Sequence, residues 1–128
     1  MGVQIAFDPE LFFSALADRT RLRLLNLMRD GEVCVCFLAD TLETNDPKIS
    51  RHLAYLKRAN LVVGRREGKW MHYRINEPIE LNAKQVLHQT LDMLGQEPQM
   101  QKDRQRLIKV CCPPTVKIRR DRSRSRQS

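Results

Sequence analysis

The chain has 128 residues and a formal net charge of +8; 41% of it is hydrophobic but only 5% aromatic. That length suits one domain with a compact core, and the shortage of aromatic residues argues against a large aromatic-lined ligand pocket. No apolar run approaches the roughly 18–20 residues of a membrane span, and MGVQIAFDPE lacks the basic-then-apolar order of a secretion signal, so a cytoplasmic protein with no membrane partner is expected.

Asp8-Pro9 opens the first predicted helix, Asp8 as its cap, with Leu11, Phe12, Ala15 and Leu16 at helical spacing. Asp18 caps a second helix, in which Leu22, Leu25 and Met28 mark the buried side while Arg19, Arg21 and Arg23 lie mostly outside. Asp30-Gly31 ends it. GEVCVCFLAD (31–40) starts a third, short helix with Val35, Leu38, Ala39 and Leu42 as its buried stripe. Cys34 and Cys36 then fall on opposite flanks of that stripe, and a regular helix points them apart. They converge only if Cys34 lies before the helix or in a distorted first turn.

The four cysteines form two close pairs, Cys34/Cys36 and Cys111/Cys112. In a cytoplasmic chain this suits metal ligation or thiol reactivity better than structural disulfides. Buried filler, a redox pair and two ligands for a soft ion are all open at this point.

Thr44-Asn45-Asp46-Pro47 turns into a fourth helix, capped by Asn45 or Asp46, with Ile49, Leu53 and Leu56 toward the core. Its other side carries Lys48, Ser50, Arg51 and Tyr55, and His52 lies in the same helix. A short basic and hydroxyl face of this kind suits a DNA groove. LVVGRREGKWMHYRI (61–75) reads as a β-hairpin with Glu67-Gly68 at its turn and Arg65, Arg66 and Lys69 crowding its tip. A basic-tipped hairpin directly after a helix-turn-helix is the layout of a winged helix. The expected fold class is mainly α with a β-hairpin wing.

A further helix spans Leu81–Leu94, its apolar stripe formed by Val86, Leu87, Leu91 and Leu94, and Gly95 and Pro98 interrupt it. A shorter helical stretch, about 99–110, leads to Cys111-Cys112-Pro113-Pro114, where the prolines stop it. In 117–128 six Lys/Arg face one acid, so five of the eight net charges sit there. Disorder is expected from about residue 115. The expected organisation is a domain over 8–98, a cysteine-bearing arm over 99–114 and a basic tail over 115–128. That tail either solubilises the chain or is drawn to phosphate backbone.

Three of these stretches, in order, resemble the ArsR/SmtB family of metal-responsive bacterial repressors, over about residues 8–98. EVCVCFLAD is close to the family's ELCVCDL at the start of its third helix. DPKISRHLAYLKRANLV is close to its recognition helix, QPKISRHLALLRESGLL, and RREGKWMHYRI looks like its wing. Recognition helix and wing look most like those of the arsenical-resistance repressors. The resemblance implies a winged helix-turn-helix homodimer paired through the first and last helices, here Leu11, Phe12, Leu87, Leu91 and their neighbours. It implies a repressor that holds double-stranded operator DNA and lets go when a metal or metalloid binds its thiolates.

Arsenic-responsive members of that family often carry a third cysteine three residues after the second, where this chain has Ala39. Cys111 or Cys112, from the same or the partner subunit, is the candidate to complete a three-sulfur As(III) or Sb(III) site with Cys34 and Cys36. The alternatives are a four-cysteine site for Cd(II), Pb(II) or Zn(II), a two-sulfur site at Cys111-Cys112 for a methylated arsenical, and a thiol redox switch. His88 and Asp92 lie where the family's zinc and nickel sensors hold their ligands, but without a second histidine they read as a solvated face. An enzyme is not expected, because no glycine-rich anion cradle follows Cys34 or Cys36 and no Cys/His or Ser/His/Asp arrangement is identifiable. In the implied switch, drawing Cys34 and Cys36 together distorts the first turn of the third helix. That shift reaches the recognition helix and spoils the dimer's half-site spacing of about 34–36 Å.

Overall fold

A computed structural model describes residues 7–111, so Cys112 and the basic tail, expected to be disordered, lie outside the described residues. The elements run α1 (Pro9–Leu16), α2 (Arg19–Leu27), β1 (Val33–Cys34), α3 (Val35–Thr41), α4 (Asp46–Arg58), β2 (Val62–Glu67), β3 (Trp70–Ile75), α5 (Leu81–Leu94) and α6 (Pro98–Cys111). Asp8, Asp18, Asn45 and Glu80 start α1, α2, α4 and α5 by accepting a backbone N–H three residues on. A cap of this kind contributes about 1 kcal/mol.

Two left-handed residues bracket the recognition segment. Glu43 (φ 59°) closes α3, and Asn60 (φ 62°) closes α4. At each, the chain turns back so that Thr44 N–H donates to the Ala39 carbonyl and Leu61 N–H to the Leu56 carbonyl, both at 2.9 Å. This is the Schellman closure, and it sets the entry and exit angles of α4.

Phe12, Leu24, Leu25, Leu38, Ile49, Leu53, Leu56 and Leu87 meet in one core, and none is more than 1% exposed. The apolar stripes anticipated in α3 and α4 point into it. Leu53, fully buried, sits behind the face that carries Lys48 and Arg51.

The hairpin is antiparallel, and a third strand joins it: the order is β1-β3-β2. Pairing of Glu67 with Trp70 puts Gly68-Lys69 at the turn, one residue later than the sequence suggested. Gly68 has φ +63°, where an L side chain is strained by about 1–2 kcal/mol. Strand β1 was not anticipated.

Helix α6 lies on α2 and α3 and buries Met100 and Asp103. Arg23, expected mostly outside, turns inward to Asp103: its Nε and Nη2 donate to the two carboxylate oxygens at 2.7 and 2.9 Å. Gln99 Nε2 donates to the same carboxylate at 2.9 Å, and Asn26 Nδ2 donates to the Met100 carbonyl at 3.0 Å. An acid that is 3% exposed needs such partners, since a buried unpaired charge is costly. Exposed pairs Arg19–Glu97, Arg104–Asp30 and Arg106–Glu43 ring the clasp.

A candidate thiol site beside a candidate nucleic-acid interface

Cys34 ends β1 and precedes α3, with extended backbone angles (φ −70°, ψ 142°). Cys36 lies in the first turn of α3. Because the chain passes from strand to helix between them, the two sulfurs stand 3.0 Å apart, within hydrogen-bonding range, with either thiol as donor. Of the two routes anticipated, the first holds: Cys34 lies before the helix, and a strand residue brings the sulfurs together while α3 runs from Val35, with no distorted first turn needed. Cys34 is buried and Cys36 half-buried. Burial pushes the Cys36 thiol up, and the Cys34 sulfur and the Asp46 carboxylate add to it, to about 11; the Phe37 backbone N–H works against them. Cys36 is thus a thiol at neutral pH.

Ala39 is packed in the core, so the β1–α3 junction offers two sulfurs, Cys34 from the strand and Cys36 from the helix. Cys111 ends α6, half-buried. Among the described residues no three potential ligand side chains come together, so Cys111 does not join Cys34 and Cys36 within one chain. His88 Nε2 meets Glu77 Oε2 at 2.5 Å, and Asp92 is exposed.

On α4, Lys48, Ser50 and Arg51 are exposed. Tyr55 is half-buried with two guanidinium groups over its ring, Arg21 at 4.0 Å and Arg58 at 4.7 Å from the ring centre. Arg58 is three residues along the same helix, a spacing that could have flagged it. Arg21 comes from α2, where it also donates to the Ala15 and Ser14 carbonyls at the end of α1, and no local pattern pointed to it. His52 Nδ1 lies 3.6 Å from Asp18 Oδ2. In the wing, Arg66 is exposed and the Lys69 ammonium lies 5.4 Å from the Trp70 ring centre. Arg65 is held differently. Its Nε and Nη2 donate to both oxygens of Glu32, at 3.0 and 2.7 Å, and Nη2 also donates to Glu67 at 3.1 Å. Arg65 in turn holds the Glu32 carboxyl below its usual range.

Of the residues anticipated for pairing two chains, Phe12 and Leu87 lie in the chain's own core, and Leu11 and Leu91 are half-buried. The apolar surface left on α1 and α5 is Phe13, Leu81 and Met93, which are 52%, 70% and 61% exposed. No helix among the described residues is long and apolar enough to cross a membrane.

A sequence profile described as "Bacterial regulatory protein, arsR family" matches residues 18–63. The chain is 44% identical over 80 residues to an arsenical resistance operon repressor of Escherichia coli, covering 62% of this chain and 68% of that one. It is 47% identical over 72 residues to an arsenic resistance transcriptional regulator of Pseudomonas putida, but spans only 56% of that protein's length, and of its own. A homodimeric winged helix-turn-helix DNA-binding domain from Mycobacterium bovis superposes with a TM-score of 0.57 at 29% identity, over 68% of this chain and 78% of that one. An antimony-specific transcriptional repressor, AntR, does so with a TM-score of 0.55 at 30% identity, over 71% and 80%. Winged fold and sequence likeness agree: the chain belongs to the arsR family of bacterial regulatory proteins, which are winged helix-turn-helix transcriptional regulators and not enzymes.

Proposed function

We propose that the protein is a cytoplasmic, metalloid-responsive repressor. Two copies, paired through α1 and α5, hold double-stranded operator DNA with α4 and the β2–β3 wing. As(III) or Sb(III) binds Cys34, Cys36 and a third sulfur from Cys111 or Cys112, and the DNA is released. The observation that carries this reading is the 3.0 Å thiol pair at the entry to α3, directly before the helix that presents Lys48, Ser50 and Arg51. Tyr55, His52, Arg65, Arg66 and Lys69 extend that basic face toward phosphate. Names among the relatives point to arsenic and antimony.

The protonated Cys36 favours an inducer that brings its own base. Trihydroxyarsenic exchanges three As–O bonds for three As–S bonds, and each thiol proton leaves on a hydroxide as water, with nothing oxidised or reduced. Cd(II), Pb(II) or Zn(II) must instead expel the protons into solvent. A thiol redox switch is the second reading, favoured by the sulfur contact itself. Against it, a protonated thiol is a slow nucleophile.

The test is an operator-release assay with As(III), Sb(III), methylarsenite, Cd(II), Pb(II), Zn(II) and, in metal-free buffer, peroxide. Cys34→Ser and Cys36→Ser are expected to bind operator and ignore arsenite. Substituting Cys111 and Cys112 together is expected to blunt the response. Full arsenite-driven release from Cys34→Ser and Cys36→Ser would sink the proposal.

A further inference from the structure

The thiol loop is part of the wing. Cys34 is paired with His72, and Val33 with Tyr73, through the β1–β3 ladder. One residue before β1, Glu32 grips Arg65 of β2 with a two-pronged hydrogen bond. The loop is therefore joined to both wing strands, by backbone to β3 and by charge to β2. A bidentate carboxylate–guanidinium pair fixes direction as well as distance, so it transmits displacement better than a single contact does.

The sulfurs cannot keep their present spacing when they share an ion. Bonds of about 2.3 Å at angles of about 95–109° hold two thiolates about 3.4–3.8 Å apart, against 3.0 Å here. An ion shared by the pair would replace this sulfur contact with a fixed S–ion–S geometry. Cys34 lies within β1, so any shift of its backbone is shared with β3 through the ladder and with Glu32, which directly precedes the strand.

Resting on the proposed function, we infer that Glu32 is a positioning residue of the switch: it passes occupancy of the thiol site to the wing through Arg65, beside any route through α3 and α4. The Arg65 guanidinium, already engaged by Glu32 and Glu67, serves as the anchor by which the hairpin is turned.

The experiment compares the wild type, Glu32→Gln, Glu32→Ala and a control, Glu43→Gln, which cuts the exposed pair with Arg106 elsewhere on the surface. Three quantities are read for each full-length protein: operator affinity with and without arsenite, thiols lost on arsenite titration, and emission of Trp70. Trp70 is the chain's one tryptophan, half-exposed beside the hairpin turn, so it reports the wing directly. The Glu32 variants are expected to bind arsenite with the wild-type thiol count and operator within about threefold of wild type. Arsenite should weaken their operator binding at least about fivefold less than it does for wild type, the low end of typical coupling factors. The arsenite-induced change in Trp70 emission should shrink with it, while Glu43→Gln switches fully. Full switching by Glu32→Ala overturns the inference. So does collapse of its arsenite-free operator binding, because the pair would then merely build the wing. A wild type that binds arsenite yet keeps its operator refutes the proposed function instead.

Discussion

Under the proposed function, proton balance at Cys36 separates the candidate inducers by how their affinities change with pH. Its thiol is pushed from an ordinary 9.0 up to about 11, by burial first and then by Cys34 and Asp46. At pH 7 a thiolate there is therefore much rarer than at an unperturbed thiol. A divalent cation must drive that proton into water, so its affinity should climb at least ~10-fold per pH unit from Cys36 alone. Trihydroxyarsenic releases no net proton, and its affinity should change by less than about threefold between pH 6 and 8 on the same reasoning. Direct titration of the full chain with arsenite and with Cd(II), followed by thiolate absorption at pH 6, 7 and 8, measures both slopes. Arsenite affinity falling about tenfold per unit, because a thiolate must take up a proton for hydroxide to leave as water, or a flat cadmium profile, would refute the assignment of Cys36 as a protonated thiol.

The same raised thiol bears on stability. The folded chain holds a proton that the unfolded chain gives up, so stability is full below about pH 9 and falls as pH rises toward 11; urea melts at pH 8 and 10.5 should show the drop. Asp103→Ala strips the clasp of three accepted hydrogen bonds and strands Arg23, at a cost of about 2–3 kcal/mol, or roughly 10 °C in a circular-dichroism melt; no shift would mean that α6 is not fastened there. Gly68→Ala meets open space but a left-handed backbone, so it should lose about 1–2 kcal/mol through strain alone. Arg66→Ala should weaken operator and non-operator DNA alike and flatten the salt slope by about 1, whereas Arg51→Ala should lower discrimination between sequences; an unchanged slope would remove Arg66 from the interface.

Much of this architecture was legible because it is written locally. Asp8, Asp18 and Asn45 announce helix starts, Ile49, Leu53 and Leu56 recur at helical spacing, and Gly68 marks the hairpin. What escaped depends on residues far apart in the chain. Strand β1 is two residues long, too short to show alternation, and exists because β3, some 40 residues later, offers it partners. Without it, Cys34 looks like a helical residue pointing away from Cys36. Arg23 and Asp103 each look solvated within their own helices; only the packing of α6 on α2 reveals them as a buried pair. The stacking on Tyr55 needs Arg21 from another helix, and Glu32 means nothing until the hairpin folds back to it. Phe12 and Leu87 have the right periodicity for an interface, but the chain is large enough to cover them itself.

The clasp around Asp103 bears on how a third sulfur would be delivered. A donor on a loose tether visits its target at an effective concentration set by chain length. Cys111 has no such freedom, for it rides at the end of a helix fastened to α2 and α3. Under the proposed three-sulfur site, Cys111 would be a positioned donor rather than a roaming one. Inducer capture would then depend on how firmly α6 is fastened to α2, and not on the length of a tether alone.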